Sequence, residues 1–393
     1  MVRVASVAFT HYDSDPRVRR MATCLADRGD EVVAVVLRHE GQPRVRRVDG
    51  VEVVGIQIRQ YRGDSAFAYM AQYLAFFFAA MWILTRLHLR KRFDLVHANN
   101  MPDFMVFAAW PLKVGGASVV LDIHDPMPEL YESKFGSSAR HPVVRLVAWV
   151  ERLSVRFADR VISVHDIQLQ TLLSRGHPPE RFVIVQNVAD ERYFPRAVAL
   201  KTADDPSSIT VVYHGLIAHR LGLDVAIRAM AKVRTETDAV RLMLIGDGDG
   251  ASEIRALTDE LDLGSVVDFQ QGFIPLEDLL PKLSRAQIGI VPARVDPFTM
   301  NMLPTKLVEY VTLGIPVICS ELPAVRLYFG DDQIVMIPHD DPEALAAAIL
   351  ELAGDPDRRR HLATEALRFV DEHGWDRQRE RYRSLVDSLV RAG

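Results

Sequence analysis

The pattern that most constrains this chain is a regular alternation of short apolar segments with helical segments. Each apolar segment has the length of a strand, is rich in β-branched residues and is apolar on both faces, as in sheets that helices cover on both sides. In the first half the segments read "VRVASVAF", "EVVAVVL", "VEVVGIQI", "DLVHA", "SVVLDIH" and "RVISVH". In the second half they read "ITVVYHG", "VRLMLIGDG", "VVDFQQGF", "AQIGIVP" and "IPVICS". The sequence therefore predicts an α/β protein with two doubly wound, Rossmann-like domains.

A polar segment rich in helix breakers, "KTADDPSS" at residues 201–208, separates the two series. We expect an N-terminal domain over residues 1–198 and a C-terminal domain over residues 206–372. The remaining residues, 373–393, predict an amphipathic helix that packs back on the N-terminal domain. A length of 393 residues fits two domains. Two such domains bind ligands in the cleft at the carboxyl ends of their strands.

Cysteine content and charge indicate the surroundings of the protein. The two cysteines, Cys24 and Cys319, are far apart in apolar segments, which indicates a reducing compartment and a cytoplasmic protein. Residues 1–195 hold 25 Lys and Arg against 21 Asp and Glu, whereas residues 196–393 hold 22 against 31. The basic first half fits an anionic partner such as a membrane surface, and chance variation of the surface explains it equally well. We expect no nucleic-acid partner.

One segment does not fit a plain α/β domain. Residues 66–84, "AFAYMAQYLAFFFAAMWIL", carry no charge, and the basic segment "TRLHLRKRF" follows directly. Such a helix could cross a membrane, lie buried in the domain, or lie in the membrane interface with the basic residues up to 92 on anionic lipid. A membrane-spanning helix would separate the next strand from its sheet. The interfacial position predicts peripheral contact with the inner face of the plasma membrane through residues 66–92.

Two common nucleotide fingerprints are missing. The turn after the first strand, "THYDSDPRVRR", contains no glycine, so it is not the GxGxxG turn of a dinucleotide-binding domain, and no Walker loop occurs. "GDGDG" at residues 246–250 follows a strand but has the wrong spacing for either motif. The missing fingerprints therefore argue against a redox enzyme that binds a dinucleotide in the first domain.

The second domain contains candidate ligands for an anion. Arg220 comes just before the glycine that opens a helix, where a guanidinium and a helix N-terminus attract the same phosphate, although an exposed loop arginine would look the same. In "NMLPTKLVEYVTLGIPVI", Lys306 and Glu309 lie one helical turn apart. The glutamate could accept hydrogen bonds from a ribose diol and the lysine could meet phosphate. A surface ion pair, worth less than ~1 kcal/mol, is the alternative.

The first domain has candidates of its own. His124 and Asp125, in "LDIHDPMPELY", follow a strand and would face the cleft, where a histidine can bond a sugar hydroxyl or move a proton. A loop histidine bonded to backbone is the alternative. "HD" occurs at residues 124–125 and 165–166, but no third residue has the spacing of a metal ligand, so we expect no metal.

Seven stretches in order along the chain resemble glycosyltransferase family 4, whose members have the GT-B fold, use nucleotide sugars and retain the anomeric configuration. They are "SDPRVRRMATCLADRGDEV", "HANNMPDF", "LDIHDPMPELY", "VISVHDIQLQTLLSRGHPPERFVIVQNVADERYF", "YHGLIAHRLGLDVAIRAM", "LIGDGDG" and "LPTKLVEYVTLGIPVICS". The resemblance implies a nucleoside-diphosphate sugar, linked to UDP or GDP, as co-substrate. It implies no further cofactor and no metal.

The resemblance also implies roles for single residues. Glu309 matches the second glutamate of the paired-glutamate motif, which binds the donor ribose; Arg220, with Lys306 beside it, matches the basic site for the diphosphate; and His124 matches the histidine at the donor sugar. Five further residues match donor-nucleotide positions: Gly215, Gly246, Gly248, Phe273 and Ile274. Donor-sugar contacts would come from Asn301, Met302 and Leu303. On the acceptor side the matching residues are Asp15, Arg17 and Asp125.

Three departures from the family pattern stand out. Asn301 replaces the first glutamate of the pair, so the donor sugar cannot be carried over. Leu216 stands where the family often has an arginine. The "SDPRV" segment replaces the usual glycine pair, as in a branch of the family that works on cell-surface polysaccharides. We therefore expect transfer of a sugar to a glycan or lipid-linked acceptor by front-face attack. An epimerase of the same fold and a non-catalytic nucleotide-sugar binding protein are the alternatives.

Overall fold

The computed structural model describes residues 1–59, 61, 66–136, 138–201, 208–272 and 274–390. The chain divides into two compact units, each built on one sheet. The first unit comprises Met1–Asn187 with Asp376–Gly393, and the second comprises Val188–Trp375. Both sheets are almost entirely parallel, with helices in the connections. The predicted α/β architecture with two doubly wound domains is confirmed.

The first unit contains an eight-stranded sheet of order β3-β4-β2-β1-β5-β6-β7-β8. Its strands are β1 (Arg3–His11), β2 (Glu31–Leu37), β3 (Val45–Val48), β4 (Val51–Ile56), β5 (Leu95–Asn99), β6 (Ser118–Ile123), β7 (Arg160–Ser163) and β8 (Phe182–Ile184). The helices between them are α1 (Pro16–Asp27), α2 (Ala66–Arg90), α3 (Trp110–Val114), α4 (Met127–Phe135), α5 (Pro142–Phe157) and α6 (Asp166–Ser174). A 3-10 segment, Asp103–Ala109, leads directly into α3. The order reverses at β1, which places the carboxyl ends of β1 and β5 beside each other.

The edge strand β3 was not predicted. It pairs antiparallel with β4, and the turn between them is Asp49–Gly50, with positive φ at both residues. An Asp-Gly pair between two β-branched segments is a strong hairpin signal because a type I′ turn needs positive φ twice. The sequence "VRRVDGVEVV" therefore contained the signal for this strand.

Helix α2 has one buried face and one exposed face. Phe76, Ala80 and Leu84 are completely buried in the core that α2 forms with the sheet. On the opposite face, Phe78 is 58% exposed and Trp82 is 66% exposed. The alternative of a fully buried helix is therefore wrong. By length and composition Ala68–Arg90 could also cross a membrane, but its buried face packs on the strands of its own unit.

The second unit contains a six-stranded parallel sheet of order β11-β10-β9-β12-β13-β14. Its strands are β9 (Ile209–Leu216), β10 (Val240–Asp247), β11 (Val267–Gln271), β12 (Ile288–Val291), β13 (Val317–Ser320) and β14 (Val335–Ile337). Its helices are α7 (Leu223–Glu236), α8 (Ala251–Glu260), α9 (Leu276–Leu283), α10 (Thr305–Leu313), α11 (Pro323–Tyr328), α12 (Pro342–Gly354) and α13 (Pro356–His373). Residues 188–198, which we expected in the first domain, belong to this unit because the Ala197 amide donates to the Thr312 carbonyl in α10 at 2.8 Å.

The last helix, α14 (Trp375–Val390), packs on the first unit. The Tyr382 hydroxyl lies 2.7 Å from the His97 ring in β5, and the Gln378 amide oxygen accepts a hydrogen bond from the Gln186 backbone at 3.0 Å. Both Tyr382 and Gln378 are buried. This helix therefore completes the face of the first sheet opposite to α2.

Candidate active site

In the second unit, the carboxyl end of β9 and the first turn of α10 meet. Strand β9 ends in Tyr213, His214 and Gly215. Helix α10 begins at Thr305 after Pro304 and has no side-chain cap, so its first amides keep free hydrogen-bonding capacity. Its polar face carries Lys306 and Glu309, while Leu307, Val308 and Val311 are buried. This apolar pattern fixes the rotation of α10 and turns the two charged side chains towards the end of β9.

Lys306 is a half-buried cation beside the end of β9. Its Nζ lies 4.9 Å from the centre of the Tyr213 ring. A Cβ at Gly215 would lie 3.0 Å from its Cε, so a glycine with φ of +100° leaves the space that the lysine fills. Within the described ranges it makes no ion pair. The pKa of Lys306 is lowered to about 8, chiefly by burial; Glu309 opposes this shift and nearby Arg220 adds to it.

Arg220 supplies a second cation close to Lys306. It lies in a 3-10 turn, His219–Leu221, just before α7, and its guanidinium stacks over the Phe298 ring at 5.4 Å. Its Nε is buried and has no hydrogen-bond partner among the residues that the structure describes. The positive charge of Arg220 acts on the pKa of Lys306, so the two side chains share one electrostatic environment. Two neighbouring cations, neither of which forms an ion pair with the described residues, form a site suited to a diphosphate.

Glu309 is paired with a histidine. Its Oε2 lies 2.7 Å from His214 Nε2, and the other ring nitrogen of His214 lies 2.9 Å from the Tyr310 hydroxyl. The surface ion pair between Lys306 and Glu309 is therefore the wrong alternative. His214 fixes the position of the Glu309 carboxylate. The Glu309 side chain is 15% exposed, so it also reaches solvent. A carboxylate fixed in this way can accept hydrogen bonds from a diol.

Gly246 and Gly248 allow a turn to pack tightly on the end of β9. A Cβ at Gly246 would lie 1.9 Å from the Gly215 carbonyl oxygen, and one at Gly248 would lie 2.1 Å from that of Ile217. Any side chain at either position would displace the backbone. The two glycines thus let this turn pack directly on the backbone at the end of β9.

The other residues expected at the donor occupy two loops. Phe273 lies outside the described residues, and Ile274 is a half-buried residue just before α9. Asn301 ends a 3-10 turn and donates from its amide to the Pro297 carbonyl at 2.9 Å. Met302 is half-buried and Leu303 is buried, between that turn and α10.

The first unit contains a cavity of about 330 Å³ at the carboxyl ends of β1 and β5. It combines aromatic rings with amide and acid groups. Its lining includes Phe9, Asp15, Tyr61, Tyr69, Gln72, Tyr73, Asn99, Asn100, Met101 and His124. Flat aromatic faces next to hydrogen-bonding groups are suited to a sugar ring.

His124 lines this cavity in a loop that Asn100 holds in place. The Asn100 side chain donates to the Asp125 carbonyl at 2.6 Å and to the Asp103 carboxylate at 3.0 Å, and it accepts from the His124 backbone at 3.2 Å. His124 Nδ1 is buried without a hydrogen-bond partner within the described part of the chain. A ring nitrogen of this kind can bond a ligand hydroxyl.

Arg17 does not lie on the acceptor side, and that prediction is wrong. Its side chain is buried and forms two hydrogen bonds of 2.8 Å with Asp122 in β6. Burial alone would raise the pKa of Asp122, but Arg17 and a hydrogen bond from His97 hold it well below its usual range. Arg17 therefore stabilises the sheet. Asp15 caps α1 through the Arg17 and Val18 amides and also lines the cavity.

Three kinds of residue at the candidate site were not singled out from the sequence. His214 sits inside the quoted "YHG" segment, and Asn100 inside "HANN", but neither was assigned a role. Tyr69 and Tyr73 were interpreted only as part of an apolar helix. Among the residues that the structure describes, no group of three or more His, Cys, Asp or Glu side chains could hold a metal ion.

Two protein families match this chain. A family described as glycosyl transferase 4-like domain matches residues 14–188, and one described as glycosyl transferases group 1 matches residues 208–355. The two matches fall one on each structural unit and together cover most of the sequence. They contain the cavity of the first unit and the cation pair of the second.

Individual proteins are similar at lower identity. A D-inositol 3-phosphate glycosyltransferase from Kineococcus radiotolerans is 25% identical over 388 residues, which cover 91% of this chain and 86% of that protein. The putative colanic acid biosynthesis glycosyltransferase WcaL of Salmonella typhimurium is 25% identical over 54% of this chain and 52% of its own. The structure of sucrose-phosphate synthase from Thermosynechococcus elongatus superposes with a TM-score of 0.79 at 19% identity, over 100% of both chains.

Proposed function

Because this chain belongs to the group 1 glycosyltransferases of the GT-B fold, we propose that it transfers a sugar from a UDP- or GDP-linked donor to a glycan or lipid-linked acceptor. The product would be a cell-surface polysaccharide or glycoconjugate. The similarity to a colanic acid glycosyltransferase supports this acceptor class. We further propose that transfer retains the anomeric configuration and needs no metal.

The observation that carries the proposal is the cation pair beside a fixed carboxylate. In transfer from a nucleotide sugar, the sugar ring becomes positive and the leaving diphosphate becomes more negative. Arg220 and Lys306 would neutralise the leaving charge, and the free amides at the start of α10 would add to it. Glu309, oriented by His214, would hold the ribose of the donor.

Residues of the first unit are proposed to contact the reacting sugar and the acceptor. The unpartnered ring nitrogen of His124 supports a contact with a sugar hydroxyl, as the family resemblance implies. The aromatic cavity of the first unit, with Asp15 at its wall, supports acceptor binding there. The attacking acceptor hydroxyl would approach on the face from which the diphosphate leaves, and exclusion of water would prevent hydrolysis of the donor.

We also propose a location at the inner face of the plasma membrane, with peripheral contact through residues 66–92. Support comes from the exposed apolar face of α2 and the exposed basic residues Arg90, Lys91 and Arg92 at its end. A lipid-linked acceptor would be found at such a surface.

A titration with UDP, GDP and their hexose derivatives tests the donor site. We expect one nucleotide to bind, and Glu309→Ala to weaken it about 10-fold or more, because a hydrogen bond to a charged group contributes ~1.5–3 kcal/mol. Glu321→Ala, which changes an exposed glutamate in the same unit, is the matched control. Unchanged affinity in Glu309→Ala would contradict the site. A new nucleotide sugar formed from the donor alone would instead favour an epimerase.

A further inference from the structure

The outward surfaces of three neighbouring helices in the first unit are apolar. Helix α2 packs against the 3-10 segment Asp103–Ala109 and α3, and α5 packs against the same 3-10 segment. The centre of the Trp110 ring of α3 lies 6.0 Å from that of the Phe157 ring of α5, so α3 also contacts α5. The three helices therefore form one layer on one face of the sheet.

Each of the three helices carries one exposed tryptophan. The chain has four tryptophans. Trp82 on α2, Trp110 on α3 and Trp149 on α5 are 66%, 59% and 56% exposed, whereas Trp375 is buried. Exposed tryptophan is costly in water and is enriched at membrane interfaces, where one side of the ring is apolar and the other is wet.

Further apolar side chains follow helical spacing around these rings. On α2, Met70, Leu74 and Phe78 lead to Trp82 at intervals of four residues and are 48%, 40% and 58% exposed. On α5, Leu146 lies three residues before Trp149 and is 56% exposed. These positions form continuous apolar stripes, larger than the scattered apolar residues of an ordinary surface.

The charge of the layer is of one sign. Six exposed arginines lie on α2 and α5 or directly after α2, and none forms an ion pair within the described ranges: Arg86, Arg90, Arg92, Arg145, Arg152 and Arg156. The only acidic residue in the sequences of α2, α3 and α5 is Glu151. It is completely buried and pairs with Arg175 and His177. The exposed residues of the three helices are therefore apolar or cationic, and the nearby carboxylate of Asp159, just after α5, is paired with Lys113 of α3.

We propose that α2, α3 and α5 together form a docking face for an anionic lipid bilayer. This deepens the membrane contact proposed for residues 66–92, on which it rests, by adding the Trp110 and Trp149 surfaces. The rings would enter the headgroup region, and the arginines would lie on the anionic headgroups. Apolar groups on several helices are needed because one short insertion binds a membrane only weakly.

The tryptophans allow a direct measurement. Vesicles of phosphatidylcholine with phosphatidylglycerol should shift the emission of the full chain to shorter wavelength and sediment the protein. Vesicles of phosphatidylcholine alone should bind at least about 10-fold less, because each arginine near an anionic surface contributes about fivefold. Equal binding to both kinds of vesicle, or binding to neither, would overturn the proposal.

Variants on α5 test the part of the face beyond residues 66–92. Trp149→Ser with Arg145→Glu should reduce binding to anionic vesicles at least about 10-fold. Leu327→Ser, which changes a 51% exposed residue in the second unit, should leave vesicle binding unchanged. Loss of binding only in Trp82→Ser, with the α5 variant unaffected, would overturn the three-helix face.

Two controls separate the possible failures. UDP or GDP affinity reports on the second unit, and far-UV circular dichroism with thermal unfolding reports on the whole chain, including the first unit that carries the substitutions. A variant that keeps the fold and the nucleotide affinity but loses vesicle binding has lost docking alone, so failure of docking and failure of the proposed transfer activity are distinguishable. Phe76 is not a suitable target because it is completely buried. If concentrated protein without vesicles shows the emission shift and forms a dimer, a second copy covers the face and the lipid proposal is wrong.

Discussion

Replacing Lys306 with methionine should make the protein more stable while weakening its donor binding. The side chain is half-buried beside Arg220 and has no ion pair in the described part of the chain. Folding therefore brings a charge partly out of water, and the attraction of nearby Glu309 offsets this cost only in part. Methionine keeps the length of the chain over the Tyr213 ring and removes the charge.

The magnitude follows from the lowered pKa. A shift of Lys306 from 10.5 to about 8 corresponds to at most ~3 kcal/mol of unfavourable free energy, and contact with solvent reduces this. The unfolded chain binds the proton more tightly than the folded chain. The cost is therefore fully present below about pH 8 and disappears as pH rises towards 10.5. We expect Lys306→Met to stabilise the ligand-free protein by ~1–3 kcal/mol at pH 7, and to remove the part of the rise in stability above pH 8 that Lys306 causes.

Donor affinity should change in the opposite direction. Loss of one charge-assisted hydrogen bond to the diphosphate costs ~1.5–3 kcal/mol, which is about a 10- to 100-fold rise in Kd. Thermal unfolding of the ligand-free protein from pH 7 to 10 and calorimetric titration with UDP and GDP measure both effects. Lys232→Met, which removes an exposed ion pair with Glu343, should change neither by much. A Lys306→Met protein that is less stable, or that binds the nucleotide as before, would refute the reasoning.

Three further predictions concern other parts of the molecule. His214→Ala removes the partner of Glu309 and should raise the nucleotide Kd several-fold. His214→Gln can still donate a hydrogen bond to Glu309 and should keep much of the affinity. Titrations that give equal losses of affinity in both variants would contradict a positioning role for His214. Arg17→Met leaves Asp122 charged and buried, and should destabilise the first unit by ~3–5 kcal/mol in urea unfolding without changing nucleotide affinity. A lipid-linked acceptor in anionic vesicles should have a lower KM than its water-soluble head group, measured from initial rates; equal KM values would contradict docking.

The sequence predicted the strand and helix order well because its patterns are local. Two-sided apolar strands and breaker-rich loops encode a parallel α/β sheet within short windows. The boundaries of the two units were harder to predict from the sequence. Residues 188–198 look like the end of the first series, but the Ala197 hydrogen bond to α10 assigns them to the second unit, and no local pattern reports such a contact. Strand β3 could have been found from its Asp-Gly turn.

The site residues that lie in recognisable local segments of the sequence were predictable. Lys306 and Glu309 lie on α10 and Arg220 lies in the 3-10 turn before α7, and the structure brings all three to the same end of the second sheet. The partner of Glu309 was not predictable from spacing, because His214 lies far away in sequence and meets it only through the packing of α10 on β9. The role of Arg17 was predicted wrongly for the same reason, because its partner Asp122 lies on a strand that is distant in sequence.

Helix α2 connects the aromatic cavity, where we propose that the acceptor binds, to the proposed docking face. In its first turns, Tyr69 and Tyr73 line the cavity, while Met70 and Leu74 are exposed on the apolar stripe. Successive residues of a helix point about 100° apart, so a single turn supplies both surfaces. A head group held by the tyrosines would therefore lie within one helix diameter of the bilayer surface, about 10–12 Å. A water-soluble acceptor gains nothing from this arrangement, whereas a lipid-linked acceptor can keep its anchor in the bilayer while its sugar occupies the cavity.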